Sequence, residues 1–137
     1  LAESMTNADV FIGVSAPNVL SEDNVKSMAS KSIVFALSNP DPEIDPSIAR
    51  RYAEIVATGR SDQPNQINNV LAFPGIFRGL LNVGAHKITD AMLIAAAKAI
   101  ANCVDENQLN SSYIVPSVFD PLVVSKVSEA VISSINP

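Results

Sequence analysis

The sequence predicts an α/β fold in which a partial parallel sheet, flanked by helices, is followed by a helical second half. Three short apolar segments before residue 60 have the length and composition of β-strands. Helical links of about a dozen residues separate these segments, and such links require parallel pairing with right-handed crossovers. From residue 69 onwards the apolar residues recur at helical spacing instead.

The first half of the chain contains the predicted strands. The first apolar run shows no clean alternation with polar residues, which is typical of a strand covered on both faces. Ser21 and the two acids after it begin a helix, and Pro46 begins a short one because proline is tolerated in a first turn. The predicted strands are 10–14, 33–37 and 54–57, and the predicted helices are 22–30, 46–51 and the end of one over 1–7.

The second half is predicted to form three helices. Pro74 lies inside the first, where it either kinks the helix or marks its true start, and Gly84 ends it. Thr89 or Ile88 caps the second helix, whose alanines allow close helix packing, and Asp120 caps the third. The predicted helices are 70–83, 90–103 and 121–134.

Composition and charge exclude several classes of protein. The 137 residues suffice for one domain with a real core, and 14 acidic against 9 basic residues argue against a nucleic-acid partner. No apolar run approaches the roughly 20 residues of a membrane span. The first residues also lack the basic segment followed by an apolar segment that is typical of a signal peptide. Cys103, the single cysteine, indicates a reducing compartment, so we predict a cytoplasmic protein. Because the chain begins with Leu1, we expect it to be a piece of a longer protein.

Three loops should meet at the carboxyl edge of the sheet, where open α/β sheets bind their ligands. Asn39 follows the second strand, and Asn68 and Asn69 lie where a helix should start, with its amide N–H groups facing this edge. An amide offers donors and an acceptor without charge, so it can orient a carboxylate or a carboxamide. From residue types alone, a turn or helix-cap role for these asparagines is as well supported as a binding role. The three loops are 15–18, 38–41 and 58–69.

Other chemistries find little support in the sequence. The five glycines form no phosphate-binding loop, and His86 with one cysteine cannot make a zinc site. Asp41, Glu43 and Asp45 form an acidic cluster after the second strand. We interpret this cluster as a solvated loop with turn and cap roles rather than as a metal site, and we predict no metal ligand in the chain.

Several segments at fixed spacing closely resemble the malic enzymes in their shorter, bacterial-type form. The resemblance spans nearly the whole chain, and the order LSNP, then GRS, then NQxNNxxxFPGI is specific rather than compositional. The segments are FALSNPDPE at 35–43, IVATGRSD at 55–62 and PNQINNVLAFPGIFRG at 64–79, and VFIGVSAP at 10–17 and ITDAM at 88–92 also fit.

The resemblance implies a partial Rossmann-like parallel sheet and assigns residues 1–137 to the carboxyl-terminal part of an NAD(P)-binding domain. The family is implied to oxidise and decarboxylate malate to pyruvate and CO2, with NAD or NADP and with Mg²⁺ or Mn²⁺. The expected partners are malate and pyruvate, the remainder of the parent chain, and further copies in a homodimer or higher homo-oligomer. Neither a nucleic acid nor a membrane is expected as a partner.

The resemblance also implies roles for particular residues. Asn39 would bind the nicotinamide end of the cofactor and the substrate carboxylate, and Asn69, or as second choice Asn68, would bind substrate. The cofactor would pass over the strand end formed by Val14, Ser15 and Ala16. The family's catalytic Tyr and Lys, its acidic metal ligands and its dinucleotide glycine motif match no residue here, so the chain should hold half of a site and be inactive alone.

Two alternatives stay open beside the oxidative malic enzyme. The chain could be a non-catalytic α/β binding or assembly module that kept the fold without the chemistry, or part of a malolactic-type relative. In either case a partial sheet should leave one strand edge and some apolar helix surface uncovered.

Overall fold

The computed structural model describes residues 1–135, so the last two residues of the predicted domain, 136 and 137, lie outside the described part. The chain divides into two compact units. The sheet unit comprises Leu1–Ile67 with Asn110–Ser112, and the helical unit comprises Asn68–Leu109 with the residues from Tyr113 onwards.

The sheet unit is built on three parallel strands, β1 (Val10–Gly13), β2 (Ile33–Ala36) and β3 (Ile55–Thr58). They lie side by side in the order β1-β2-β3, with β1 paired to β2 and β2 paired to β3. The three strands agree with the predicted ones to within one residue at each end, and the parallel pairing confirms the predicted fold class.

A short helix, α1 (Ala2–Met5), precedes β1, and two more, α2 (Glu22–Lys26) and α3 (Pro46–Ala49), connect the strands. Ser21 caps α2 as predicted, through a reciprocal pair of hydrogen bonds with Asn24. This helix ends at Lys26 rather than near residue 30. The backbone leaves the helix there because the N–H of Ala29 donates to the carbonyl of Ala8, 3.0 Å away.

The core of the sheet unit lies on one side of β1. Val10, Ile12 and Val14 are 49%, 62% and 79% exposed, whereas Phe11 packs against the core. The prediction that β1 is covered on both faces is therefore wrong within the described residues. Because β1 is the outer strand of the order β1-β2-β3 and pairs with β2 alone in this part of the chain, its other edge has no partner strand, as predicted. The core residues are Met5, Leu20, Val25, Met28, Val34, Ala36, Ile44, Ala49, Ala53 and Val56.

The helical unit contains a 3-10 turn (Asn69–Leu71) and three α-helices, α4 (Phe73–Val83), α5 (Asp90–Ala101) and α6 (Pro121–Ser133). The predicted helix over 70–83 is thus divided in two. Pro74 lies in the first turn of α4, where its missing N–H leaves no gap in the helix, so it marks the true start of α4. Gly84 ends α4 at a φ of 64°, and Thr89 and Asp120 cap the next two helices as predicted.

Close helix packing occurs between α4 and α6, and α5 also packs on α6 through part of its alanine-rich face, as predicted. A Cβ at Gly75 would lie 2.5 Å from Val127 Cβ, and one at Gly79 would lie 2.8 Å from Val131 Cγ1. The two glycines therefore let α6 approach the backbone of α4. Of the α5 alanines in the predicted packing face, Ala96 is buried and Ala95 and Ala99 are half-buried, whereas Ala91 and Ala97 are exposed.

The opposite face of α4 is apolar and exposed. Phe73 and Phe77 stack with ring centroids 5.8 Å apart, and Leu81 follows one turn later on the exposed side. This stripe confirms the predicted uncovered apolar helix surface. None of the helices in residues 1–135 is long and apolar enough to span a membrane.

Candidate functional site at the carboxyl edge of the sheet

The loops that follow β1 and β2 start side by side. Gly13 is paired with Ala36 in the parallel ladder, and the N–H of Leu37 donates to the carbonyl of Gly13 at 2.9 Å. Ser15 and Ser38 each come two residues after these paired positions. The ends of the two strands therefore present their first loop residues at one edge of the sheet.

A buried carboxylate joins these two loops. Glu43 is 0% exposed, and its Oε1 accepts hydrogen bonds from the N–H of Ser15 at 2.8 Å and from its hydroxyl at 3.1 Å. Its Oε2 accepts a hydrogen bond from the N–H of Ser38 at 3.0 Å. The interpretation of the acidic cluster as a solvated loop is therefore wrong for Glu43. The one available signal was Gly13, since a glycine inside a strand often marks the close approach of another group.

The hydrogen bonds also decide the charge of Glu43. Burial by itself would raise the pKa of this carboxyl group, because it penalises the charged form. The backbone N–H groups of Ser15 and Ser38 outweigh that effect and hold the pKa of Glu43 below its usual value. The residue is therefore a carboxylate at neutral pH, and it accepts hydrogen bonds from the loops that follow β1 and β2.

The other two acids of the cluster behave as the sequence predicted. Asp45 is exposed and caps α3, with its Oδ1 accepting from the N–H of Ser47 at 2.8 Å. Asp41 is exposed and lies 3.9 Å from Arg60, whose guanidinium also forms a two-bond pair with Asp62. Among residues 1–135, no group of three or more His, Cys, Asp or Glu side chains is placed to hold a metal ion.

A polar cavity of about 280 Å³ lies among these charged loops. The charged side chains that line it already have partners within the protein. Arg60 pairs with Asp41 and Asp62, and Asp45 accepts the capping hydrogen bond of α3. Aspartate neighbours raise the pKa of Arg60, with the hydrogen bond to Asp62 as the main cause. The lining residues are Asn18, Asp41, Pro42, Asp45, Pro46, Arg60 and Gln63.

Asn39 lies directly after Ser38 and is exposed at the end of β2. A cis peptide bond joins it to Pro40. Within the described residues its side-chain amide makes no hydrogen bond. The predicted residues of the β1 end lie in the same unit: Val14 is strongly exposed, and Ser15 is turned towards Glu43. Ala16 follows them on the surface.

Asn68 and Asn69 belong to the helical unit and differ from each other. Asn68 caps the 3-10 turn, with its Oδ1 accepting from the N–H of Val70 at 3.0 Å. Asn69 is exposed, and in the described part of the chain its side chain makes no hydrogen bond. The prediction of an α-helix start at this pair is wrong, because α4 begins only at Phe73. That Asn39 and Asn69 face one crevice stays a prediction.

Sequence reasoning missed Asn65. It is buried at a φ of 57°, and its Nδ2 donates to the carbonyl of Val56 at 3.1 Å and to that of Ser111 at 2.8 Å. Asparagine is one of the few residues that adopt positive φ readily. Asn65 thus fastens the loop after β3 to its own strand and to the segment 110–112. Its partner at Ser111 is 46 residues away in sequence, and no local pattern indicates such a bond.

The parallel sheet, with polar loops at the carboxyl ends of its strands, places this chain among the Rossmann-like α/β domains. Such domains bind nucleotide cofactors at that edge of the sheet. Comparison with known sequences narrows this class. The chain belongs to the malic enzyme family, because the family model described as the malic enzyme NAD binding domain matches residues 3–135. The resemblance seen in the sequence is thereby confirmed.

Individual relatives are similar over nearly all of this chain. It is 57% identical to an NAD-dependent malic enzyme of Geobacillus stearothermophilus, over 98% of this chain and 28% of that protein. It is 52% identical to a bifunctional malic/malolactic enzyme of Bacillus subtilis, over 96% of this chain and 32% of that protein. An NADP-dependent malic enzyme of Rhizobium meliloti is 49% identical over 96% of this chain and 19% of its own length. The chain thus spans less than a third of each of these relatives.

Solved structures agree with the sequence comparison. The crystal structure of the Entamoeba histolytica malic enzyme superposes with a TM-score of 0.93 at 43% identity. The match covers 98% of this chain and 28% of that one.

Proposed function

We propose that this chain is the carboxyl-terminal part of the NAD(P)-binding domain of an enzyme that oxidatively decarboxylates malate to pyruvate and CO2. The observation that carries the proposal is the pair of strand-end loops joined by Glu43, from which Asn39 projects with an unengaged amide. Such an amide can donate to a carboxylate and accept from a carboxamide, the two groups that a malate and a nicotinamide present.

The geometry supports particular roles for the predicted residues. Asn39 contacts the nicotinamide end of NAD(P) and a carboxylate of malate. Val14, Ser15 and Ala16 form the ledge beneath the cofactor, with the exposed side chain of Val14 offering an apolar surface. Asn69 rather than Asn68 contacts substrate, since Asn68 already serves as a cap.

The residues described here do not fit a divalent metal. Both oxygens of Glu43 accept from Ser15 and Ser38, Asp41 pairs with Arg60, and Asp45 accepts from Ser47. We therefore place the ligands of Mg²⁺ or Mn²⁺ in other parts of the parent enzyme, and we assign no step of the reaction to a metal held by this chain.

We also propose how the whole protein is assembled and where it works. The exposed apolar residues of β1 and α4 support burial against the remainder of the parent chain or against another copy, in a homodimer or higher homo-oligomer. We propose a cytoplasmic enzyme whose isolated carboxyl-terminal piece is inactive, because the catalytic Tyr and Lys of the family have no counterpart in it.

One alternative activity has support of its own. The Bacillus subtilis relative is a bifunctional malic/malolactic enzyme, so a malolactic-type reaction is the second candidate. Its product is lactate, and it gives no net reduction of the cofactor.

The experiment is a product assay on the full-length protein that carries this chain. With malate, Mn²⁺ and either NAD or NADP, we expect equal amounts of pyruvate and reduced cofactor. Lactate without net cofactor reduction would establish the malolactic alternative. A folded full-length protein that neither consumes malate nor binds NAD(P) would contradict both and favour the non-catalytic module.

A further inference from the structure

The carboxylate of Glu43 sits between the two loops to which we assign cofactor contacts. Its three hydrogen bonds go to Ser15, which lies on the proposed ledge, and to Ser38, the immediate neighbour of Asn39. None of these bonds belongs to the ladder of the sheet, which already holds β1 to β2. The carboxylate therefore fixes the loops rather than the strands.

We propose that Glu43 is a positioning residue for the cofactor: it locks the Ser15 turn and the Ser38-Asn39 turn into one arrangement, and so places the Asn39 amide above the ledge. This inference rests on the proposed function. Glu43 does not itself touch cofactor or substrate, because its side chain is fully buried beneath the loops.

A carboxylate is the side chain that this position requires. Three donors converge on it, and an ionised carboxyl group has acceptor capacity on both oxygens and no donor of its own. A glutamine in the same place would offer one acceptor oxygen, and its NH2 group would face either the N–H of Ser15 or that of Ser38. One of the two loops would lose its anchor, and a buried donor would be left without a partner.

The surrounding backbone is shaped to admit this group. A Cβ at Gly13 would lie 2.5 Å from Glu43 Cδ and 2.6 Å from its Oε1, so the strand needs glycine opposite the carboxylate. The backbone of Glu43 is held as well, since its carbonyl accepts from the N–H of Leu20 at 2.9 Å. The preceding carbonyl, of Pro42, accepts from the N–H of Asn18 at 3.1 Å. The segment that carries Glu43 is thus tied to the loop after β1 by backbone and side chain together.

The test is Glu43→Gln in the full-length enzyme, with Asp45→Asn as its matched control. Both variants remove one negative charge from the same loop, but Asp45 has no bond to either Ser15 or Ser38 and an asparagine can keep its cap on α3. We expect Glu43→Gln to weaken binding of the reduced cofactor about tenfold or more, the loss of one charge-assisted hydrogen bond. The KM for malate should rise and kcat should fall with it. Asp45→Asn should stay within about twofold of the parent in all three quantities.

The readings separate a positioning role from a structural one. Kd, KM and kcat are measured well below the melting temperature of each variant, so a loss of stability alone leaves them unchanged. A folded Glu43→Gln enzyme with a lower Tm but the parent's Kd and kcat/KM would overturn the inference. If that variant does not fold, Glu43→Asp keeps the charge but is one methylene too short to reach both loops, and a folded Glu43→Asp enzyme with unchanged Kd would overturn it equally.

Two remaining outcomes are also decisive. If neither variant folds, Glu43 is a structural residue and the inference fails. If the unmodified full-length protein neither binds NAD(P) nor turns over malate, the proposed function fails first, and the inference falls with it. If the parent enzyme is active and the Glu43→Gln variant has the parent's Kd and kcat/KM, the inference about Glu43 is refuted and the proposed function stands.

Discussion

The two units of this chain differ in what lies inside them. The sheet unit buries a series of polar side chains, whereas the core of the helical unit is a cluster of aliphatic side chains and one methionine, with Ser128 as its buried polar residue among residues 1–135. The buried polar residues of the sheet unit are Ser32, Ser38, Glu43, Thr58 and Asn65.

Small residues show the same contrast. Gly13 of the sheet unit makes room for a carboxylate, and Gly75 and Gly79 of the helical unit make room for valine side chains. Hydrogen bonds are directional and fix the shape of a loop, while apolar packing depends on the fit of side-chain volumes. The sheet unit, which buries these polar side chains beside its apolar core, is the one whose loops carry the proposed cofactor contacts.

The largest expected effect is on catalysis, and it concerns one asparagine from each unit. In the full-length enzyme, Asn39→Ala and Asn69→Ala should each lower malate kcat/KM about tenfold to a hundredfold, because under the proposed function each would remove a hydrogen bond to a charged carboxylate. Asn39→Ala should also raise the Kd of the cofactor. Steady-state kinetics with both substrates varied measures this, and unchanged kcat/KM in either variant would remove that residue from the site.

An added methyl group should lower the free energy of unfolding more in the packed helices of the helical unit than in the loops of the sheet unit. Gly75→Ala places a Cβ 2.5 Å from Val127 Cβ and 3.0 Å from the carbonyl of Val124, so we expect a loss of about 1–3 kcal/mol in the free energy of unfolding. At Gly59 a Cβ would have its nearest neighbour, the carbonyl of Ile67, at 3.9 Å.

Gly59→Ala is therefore the control, and it should be neutral or stabilising by up to about 1 kcal/mol. Denaturant unfolding of both variants in the full-length protein gives the comparison. Equal losses at the two positions would show that α4 and α6 are not held as closely as the structure indicates.

In the sheet unit, loss of the buried amide of Asn65 should lower the free energy of unfolding. Asn65→Ala leaves the carbonyls of Val56 and Ser111 without their donor and should lower the free energy of unfolding by about 1–3 kcal/mol. Part of any loss comes from forcing alanine to positive φ. Asn18 has a φ of 59° and a side chain that makes no hydrogen bond in the described part of the chain, so Asn18→Ala measures that strain alone. Similar losses in the two variants would show that the buried amide contributes little.

How much of this could be read from the sequence depends on how local each signal is. Strand positions and the caps at Ser21, Thr89 and Asp120 follow from runs and neighbours a few residues apart, and they were predicted closely. The burial of Glu43 depends on Ser15, 28 residues earlier, and an acid next to two other acids gives no local sign of it. The sequence predicts that Pro74 either kinks a helix or marks its start, and only the structure distinguishes the two. The uncovered face of β1 could not be predicted, because its valines and isoleucine are the residues expected in a strand covered on both faces.

The sheet unit should lose stability in acid through Glu43. The pKa of Glu43 is lowered in the folded protein, so its contribution to stability is fully present above about pH 4.3, the ordinary pKa of a glutamate, and is lost as the pH falls through the lower, folded pKa. The difference in free energy of unfolding between the parent and Glu43→Gln should therefore shrink below that pH. Urea unfolding at a series of pH values measures it, and a difference that stays constant down to pH 3 would contradict a charged Glu43.

The smallest expected effect separates the neighbouring asparagines of the helical unit. Asn68 caps the 3-10 turn through Val70, so Asn68→Ala should lower the free energy of unfolding by about 1 kcal/mol. Asn69 has no such bond, and Asn69→Ala should melt like the parent while losing activity. Melting curves of the two full-length variants, recorded beside their kinetics, decide the matter. If Asn69→Ala lowers Tm as much as Asn68→Ala and keeps its kcat/KM, then Asn69 is a structural residue and does not contact substrate.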